Sequence, residues 1–243
     1  RAAAKVLFAA GVDFGILGPA ERDSGHEVRR FSEEMLFLDL RDRNSEVINN
    51  AVVNRIVTAD PHAFNALKHD YRDIPPVEHI SSVILKGIKS GIIHLKNVED
   101  SEKIYTYHDP CYLGRHNSLY NDPREVIDSI PGIHRVEMGK NCKDRSFCCG
   151  GGGLMLFYEP EEEQRMGVLR VQMAAEAGLF TFDEVADTMS DKMVARHPHV
   201  FGDESRDKTA EEQTRDWEAQ KARERGAAGV LDGVALGLTG GLG

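Results

Sequence analysis

The chain has 243 residues, a formal net charge of −10, 41% hydrophobic residues and four cysteines. Its length and hydrophobic content suffice for one large or two modest globular domains. The acidic balance excludes general nucleic-acid binding, which needs clustered Lys and Arg to displace counterions from phosphates. Few cysteines, two of them adjacent, indicate a reducing compartment in which thiolates bind metals, so we expect a cytoplasmic protein. No apolar run approaches the length of a membrane span.

Hydrophobic spacing predicts alternating helices and strands from the start of the chain. The pattern favours a helix over 2–10, a strand over 12–18 and a long helix over 26–50. Apolar residues of the long helix recur at three- and four-residue steps, which predicts one buried stripe. Its members are Val28, Phe31, Met35 and Leu38.

Further along, the sequence predicts short strands over 54–58, 102–107 and 133–137. A helix is expected to start at Asp122-Pro123 and to end near residue 130. Strands that alternate with helices are typical of α/β folds. We therefore predict a small, mainly parallel sheet with flanking helices. After Glu159 the pattern becomes almost wholly helical, which predicts an all-α C-terminal segment.

Residues 146–153, with the sequence SFCCGGGG, carry the strongest chemical signal. Adjacent cysteines such as Cys148 and Cys149 rarely pair with each other. Four consecutive glycines cost conformational entropy unless the backbone must pass close to something bulky or charged. The run therefore predicts a turn that binds a soft metal or a cluster.

A third thiol, Cys111, lies in a second unusual turn, YHDPCYLGR, over residues 107–115. Both turns are expected at strand ends, so Cys111 should approach Cys148 although 36 residues separate them. Two alternatives remain open. The three cysteines could be small buried hydrophobic residues, or they could bind zinc together with His108 or His116.

The fourth cysteine, Cys142, is flanked by Lys140, Lys143 and Arg145. Neighbouring cations lower a thiol pKa, so Cys142 is expected to be a reactive surface thiol. A role as a substitute fourth ligand is the alternative.

The segments HDPCYLGRHN and SFCCGGGGLM resemble the second half of the CCG domains of heterodisulfide-reductase-like iron–sulfur oxidoreductases, of the type associated with electron-transfer flavoprotein. The resemblance covers about residues 1–173 and implies a cysteine-rich domain of that type. It implies that Cys111, Cys148 and Cys149 are ligands of a noncubane 4Fe-4S cluster, beside Gly150 and Gly151.

The family pattern continues with a Cys-x-x-Cys pair, which should fall close to Asp183 and Ala186 in this chain. Because no cysteine stands there, the ligand set is expected to be incomplete. The resemblance implies electron transfer from a flavoprotein to a quinone or disulfide acceptor. Arg115 or His108 would offset the negative charge of the cluster.

The partner implied is electron-transfer flavoprotein or another redox subunit. Any association with a membrane is expected to come through parts of the protein outside these residues.

The first half of the region has Asp23, Asp60 and Ala63 where cluster-bearing relatives have thiols. Carboxylates are hard ligands that suit Mg²⁺, Ca²⁺ or Mn²⁺, so no iron–sulfur cluster is expected there. Asp23, Asp60 and His62 could instead bind one hard ion. The favoured interpretation is that Asp60-Pro61 starts a helix.

From Glu176 to Asp203, and again at Trp217, the sequence resembles the C-terminal part of a MazG-type nucleoside triphosphate pyrophosphohydrolase. We therefore predict a second domain over 174–243, a helical MazG-like fragment. The Glu-Glu-x-x-Glu motif that holds Mg²⁺ in that family is absent, so Mg²⁺ binding and hydrolysis are not expected. Whether the chain is an enzyme stays open, and a catalytically inactive chimera is a third alternative.

Overall fold

The computed structural model describes residues 2–98, 104–153, 155, 161 and 164–176. The chain divides after Arg170 into two units, and the architecture below is that of the first. In chain order its elements are α1 (Ala2–Ala9), α2 (His26–Arg30), α3 (Glu34–Asn50), β1 (Ile56–Thr58), α4 (Pro61–His69), β2 (Val77–His79), α5 (Ile80–Lys89), β3 (Ile104–Thr106), α6 (Asn121–Asp128), β4 (His134–Val136) and α7 (Met166–Glu176). None of the described helices is long and apolar enough to cross a membrane.

Two strand–helix–strand units of the same design follow one another along the chain. Strand β1 pairs in parallel with β2, with Ile56 opposite Val77, and α4 connects them. Strand β3 pairs in parallel with β4, with Ile104 opposite His134, and α6 connects them. Parallel neighbours need such a crossover, which a helix usually supplies.

The predicted α/β class and the parallel pairing agree with this arrangement. The described strands form two separate two-stranded sheets, however, where one small sheet was expected. Most of the all-α segment predicted after Glu159 lies outside the described residues, and helix α7 is the part of it that the structure describes.

The long helix predicted over 26–50 is interrupted. Helices α2 and α3 are separated at 31–33, where Ser32 has a left-handed φ of 65°, which is unfavourable inside a helix. The predicted apolar stripe is confirmed only in part: Val28 and Leu38 pack against the core, whereas Met35 is 80% exposed. The buried residues of α3 are Phe37, Asn44 and Ile48, and Phe37 lies in a core with Ala66 and Tyr71.

No strand forms over 12–18, where the apolar run predicted one. Ile16 is 81% exposed, so the run does not contribute to the core. A single 3₁₀ turn at Gly18–Ala20 follows it.

Asp60 forms the N-cap of α4. Its side chain accepts hydrogen bonds from the backbone N–H groups of His62 (2.7 Å) and Ala63 (3.3 Å), and Pro61 opens the helix. The helix-start interpretation is therefore confirmed. Asp23 is used locally as well, because it accepts the N–H of Gly25 at 2.6 Å.

A buried ion-pair network joins the elements of the second strand–helix–strand unit. The carboxylate of Asp109, which follows β3, accepts hydrogen bonds from both terminal nitrogens of Arg124 in α6, at 2.5 and 2.7 Å. Arg124 also donates to Glu137, which follows β4, at 2.7 and 3.0 Å. Hydrogen bonds from Arg124 lower the pKa of Glu137 to about 2, so its carboxylate stays charged at neutral pH.

We predict that Asp109→Asn lowers the free energy of unfolding by about 3–5 kcal/mol, because it leaves part of the buried Arg124 charge uncompensated. Urea unfolding followed by circular dichroism measures this. Lys89→Gln is the control, since the Lys89–Glu125 pair is exposed and should change stability by less than about 1 kcal/mol. Equal effects of the two substitutions would contradict the prediction.

Candidate metal centre

Cys111 lies in a tight turn that directly follows β3. The carbonyl oxygen of Pro110 accepts hydrogen bonds from the N–H groups of Leu113 (3.0 Å) and Gly114 (2.9 Å), and these bonds close the turn. Leu113 is buried and anchors the turn in the core. The thiol is thereby held at the carboxyl end of a parallel strand, where α/β proteins commonly place their binding groups.

Several hydrogen bonds attach the loop before Cys148 to this turn. The N–H of Lys143 donates to Asp109 Oδ2 at 2.7 Å, and the hydroxyl of Ser146 donates to the carbonyl of Asp109 at 3.2 Å. Arg115 donates to the carbonyl of Ser146 at 2.7 Å. The two cysteine-bearing segments are therefore fastened together by backbone and side-chain contacts.

The first two glycines of the tetrad donate to the cysteine sulfurs. The N–H of Gly150 lies 3.4 Å from Cys148 Sγ, and the N–H of Gly151 lies 3.3 Å from Cys149 Sγ. Gly150 has a φ of 76°, and a Cβ there would come within 3.1 Å of Met166, so a side chain would be strained.

The three cysteines interact electrostatically. Burial raises the pKa of Cys111, and the neighbouring Cys148 and Cys149 raise it further, because like charges oppose one another. Among the described residues, however, no set of three His, Cys, Asp or Glu that includes a cysteine has its ligand atoms within 4.8 Å of one another. Tetrahedral zinc would need sulfurs about 4 Å apart.

The zinc alternative with His108 or His116 is therefore unsupported. His116 stacks on Tyr112, with ring centroids 4.6 Å apart.

Of the two residues expected to compensate negative charge, Arg115 interacts electrostatically with Cys111 and opposes the rise in the pKa of that thiol, whereas His108 is uncharged. Burial, and then Arg170, lower the pKa of His108 to about 4, so the imidazole is neutral near pH 7. Arg115 is used to hold backbone carbonyls of Asp144 and Ser146.

Arg170 on α7, which the sequence did not single out, is a further cation near the cysteines. It donates to His108 Nδ1 at 3.0 Å and to the carbonyl of Asn141 at 2.9 Å, and its charge interacts with Cys142 and Cys149.

Cys142 is not the activated thiol that its basic neighbours predicted. Burial, and then Glu137, raise its pKa, and the thiol donates to the carbonyl of Gly139 at 3.3 Å. The cations flanking it in sequence do not outweigh these effects.

The last two glycines of the tetrad contact the first half of the fold. The N–H of Gly153 donates to Glu27 Oε2 at 2.9 Å. A Cβ on Gly152 would lie 2.4 Å from His62 Cε1, so only glycine fits there without displacement of the ring. The sequence did not reveal this contact, because Glu27 and Gly153 lie 126 positions apart.

Residues 105–188 match the family model of the cysteine-rich domain named CCG. The chain is 38% identical over 174 residues to the probable iron–sulfur-binding oxidoreductase FadF of Bacillus subtilis, covering 70% of this chain and 24% of that protein. It is 32% identical over 204 residues to the EtfAB:quinone oxidoreductase of Syntrophomonas wolfei. The matched residues cover 83% of this chain and 26% of that protein.

A third relative is one polypeptide of the dihydromethanophenazine:CoB–CoM heterodisulfide reductase of Methanosarcina barkeri. The two chains are 32% identical over 184 residues, which cover 72% of this chain and 44% of that polypeptide. No solved structure matches.

These matches define a CCG-type cysteine-rich region related to iron–sulfur oxidoreductases. The resemblance of the two cysteine segments is thereby confirmed, and the relatives support the predicted iron–sulfur cofactor. The chain spans about a quarter of the length of FadF and of the EtfAB:quinone oxidoreductase. The MazG-like tail is not supported, and the CCG match runs past the predicted boundary at residue 173.

We predict that Gly152→Ala destabilises the fold by about 1–3 kcal/mol, because the added methyl group must displace the His62 ring. Gly15→Ala is the matched control, since a Cβ at Gly15 meets nothing within 4 Å. Urea unfolding of both variants provides the comparison. A Gly152→Ala variant as stable as Gly15→Ala would show that the ring moves freely.

Stability should also fall between about pH 6.5 and pH 4 through His108. The unfolded chain protonates this imidazole near its ordinary pKa of 6.5, but the folded chain does so only near 4, so unfolding takes up a proton in this window. His108→Asn retains an acceptor for Arg170 and removes the titration. Its unfolding free energy should depend less on pH than that of the wild type. His134→Asn, at an exposed position, is the control and should keep the wild-type slope.

Proposed function

We propose that Cys111, Cys148 and Cys149 hold an iron–sulfur cluster and that the chain is part of an electron-transfer oxidoreductase. The finer assignment, by resemblance, is a noncubane 4Fe-4S cluster between a flavoprotein and a quinone or disulfide acceptor. When bound, such a cluster takes up and releases electrons one at a time. The protein residues hold it, shield it and set its potential.

The observation that carries this proposal is the pair of N–H···S contacts from Gly150 and Gly151. Backbone N–H groups aimed at cysteine sulfur stabilise negative charge on the sulfur, and hydrogen bonds to sulfur tune the potential of iron–sulfur centres. A purely structural pair of buried thiols would not require these donors. Glycine itself is needed at these two positions for steric reasons, because Gly150 has a φ of 76° and a Cβ on Gly151 would lie 3.3 Å from Cys149 Sγ.

The donor set fits a cluster with an incomplete shell. Cys148 and Cys149 both interact electrostatically with Cys111. The predicted positions of the final pair are Asp183 and Ala186, which are not cysteines and lie outside the described residues. Arg170 supplies positive charge beside Cys149, which lowers the cost of collecting thiolates in one place. We therefore propose that the cluster is labile and substoichiometric in this chain.

The proposed partner is electron-transfer flavoprotein or another redox subunit. Support comes from the relatives, one of which is named an EtfAB:quinone oxidoreductase and another, from Chromohalobacter salexigens, a probable membrane-anchored ferredoxin. A cytoplasmic location stays a proposal. The MazG-like interpretation covers residues 174–243, of which the structure describes only 174–176. No observation on the described residues favours hydrolysis.

The test is anaerobic reconstitution of the full chain with iron and sulfide, followed by iron and sulfide analysis and absorption spectroscopy. We expect a visible sulfide-to-iron band with less than full occupancy. Cys149→Ser should reduce bound iron to background. Cys142→Ser is the matched control, because its thiol is bonded to a backbone carbonyl, and it should retain the wild-type amount.

Two results would contradict the proposal. One is equal iron loss in Cys142→Ser and Cys149→Ser. The other is iron uptake by wild type that does not depend on any cysteine.

A further inference from the structure

A second group of metal-binding side chains lies in the first half of the fold. Ligand atoms of His26, Glu27 and His62 all lie within 4.8 Å of one another, and this is the one such set of three among the described residues. Glu27 Oε1 is 2.8 Å from His62 Nδ1 and 3.9 Å from His26 Nε2. Two imidazoles and a carboxylate therefore converge on one point.

His26 is the observation that sets this group apart from an ordinary polar cluster. The residue is 1% exposed, and neither ring nitrogen has a hydrogen-bond partner. Buried polar atoms in native proteins are nearly always satisfied, so an unsatisfied pair calls for a missing ligand. Glu27 Oε1 is buried as well, and although it lies close to His62 Nδ1, the two atoms are not aligned for a hydrogen bond.

The surroundings hold these groups in place. The N–H of Gly153 binds Glu27 Oε2 at 2.9 Å, which fixes the carboxylate and leaves Oε1 directed at the imidazoles. His26 and His62 stack with centroids 4.9 Å apart, and Tyr112 packs edge-on against both. Burial, and then His62, lower the pKa of His26 to about 4, so its imidazole is in the neutral form that binds metals.

The repeated design of the fold gives an independent argument. Asp60-Pro61-His62 follows β1 as Asp109-Pro110-Cys111 follows β3. His62 thus has the place in the first unit that Cys111 has in the second. The sequence left open a hard ion at Asp23, Asp60 and His62, but Asp60 caps α4 and Asp23 accepts the backbone N–H of Gly25.

We propose that His26, Glu27 and His62 form a binding site for one divalent transition-metal ion such as Zn²⁺, separate from the cysteine site. Imidazole and carboxylate ligands suit zinc, and three protein ligands leave a fourth position open. Because Glu27 also binds Gly153, a bound ion would tie the glycine loop to α2 and α4. This proposal goes beyond the electron-transfer function and does not depend on it.

Cobalt substitution tests the site in the full chain without a cluster. Co²⁺ bound by nitrogen and oxygen gives ligand-field bands alone, whereas Co²⁺ bound by cysteine adds a thiolate charge-transfer band. We expect wild type to show ligand-field bands that Zn²⁺ displaces. Glu27→Gln keeps the acceptor for Gly153 and should weaken this binding more than about tenfold, as should His62→Gln.

His116→Ala is the matched control, because it removes another imidazole of the same aromatic stack that is not a ligand, and it should bind as wild type does. Circular dichroism of each variant establishes that it is folded.

A variant with Cys111, Cys148 and Cys149 replaced by Ser should still bind Co²⁺. The proposal is overturned if all bound Co²⁺ shows thiolate character, if folded Glu27→Gln and His62→Gln both bind as wild type does, or if no Co²⁺ binds.

Discussion

The carboxylate of Asp109 is the constraint on which the rest of the cysteine site depends. It is 3% exposed, and three donors satisfy it: two guanidinium nitrogens of Arg124 and the N–H of Lys143. One side chain therefore joins the Cys111 turn, helix α6 and the loop that leads to Cys148. A buried carboxylate is tolerated only with such complete pairing, so these segments are held in one arrangement.

The two halves of the fold share one arrangement of strands and helix, and each half places a different kind of side chain after its first strand. Each has a parallel strand pair connected by a helix, with Asp-Pro after the first strand. In the second half Asp-Pro is followed by Cys111, and the site is rich in sulfur. In the first half it is followed by His62, and the site is made of nitrogen and oxygen. The glycine tetrad serves both, because its first two members donate to sulfur and its last contacts Glu27.

Much of this could be read from the sequence because the signals are local. The cysteine motifs led to the proposal of Cys111, Cys148 and Cys149 as ligands, which stays a prediction, and alternating periodicity predicted parallel strands in an α/β fold. The break at Ser32 was missed because apolar spacing continues across it. Arg124, Arg170 and Glu27 were missed because their partners lie 15, 62 and 126 positions away, and no local pattern predicts such contacts. The raised pKa of Cys142 reflects burial, which the flanking charges did not reveal.

The central claim is that the thiols brought together by Asp109 bind iron as a cluster. X-ray absorption at the iron edge, on the full chain loaded anaerobically with iron and sulfide, tests it most directly. The account predicts that sulfur dominates the first coordination shell and that a second shell contains iron, because a cluster places irons close to one another. A first shell of nitrogen and oxygen alone, with no iron neighbour, would contradict it.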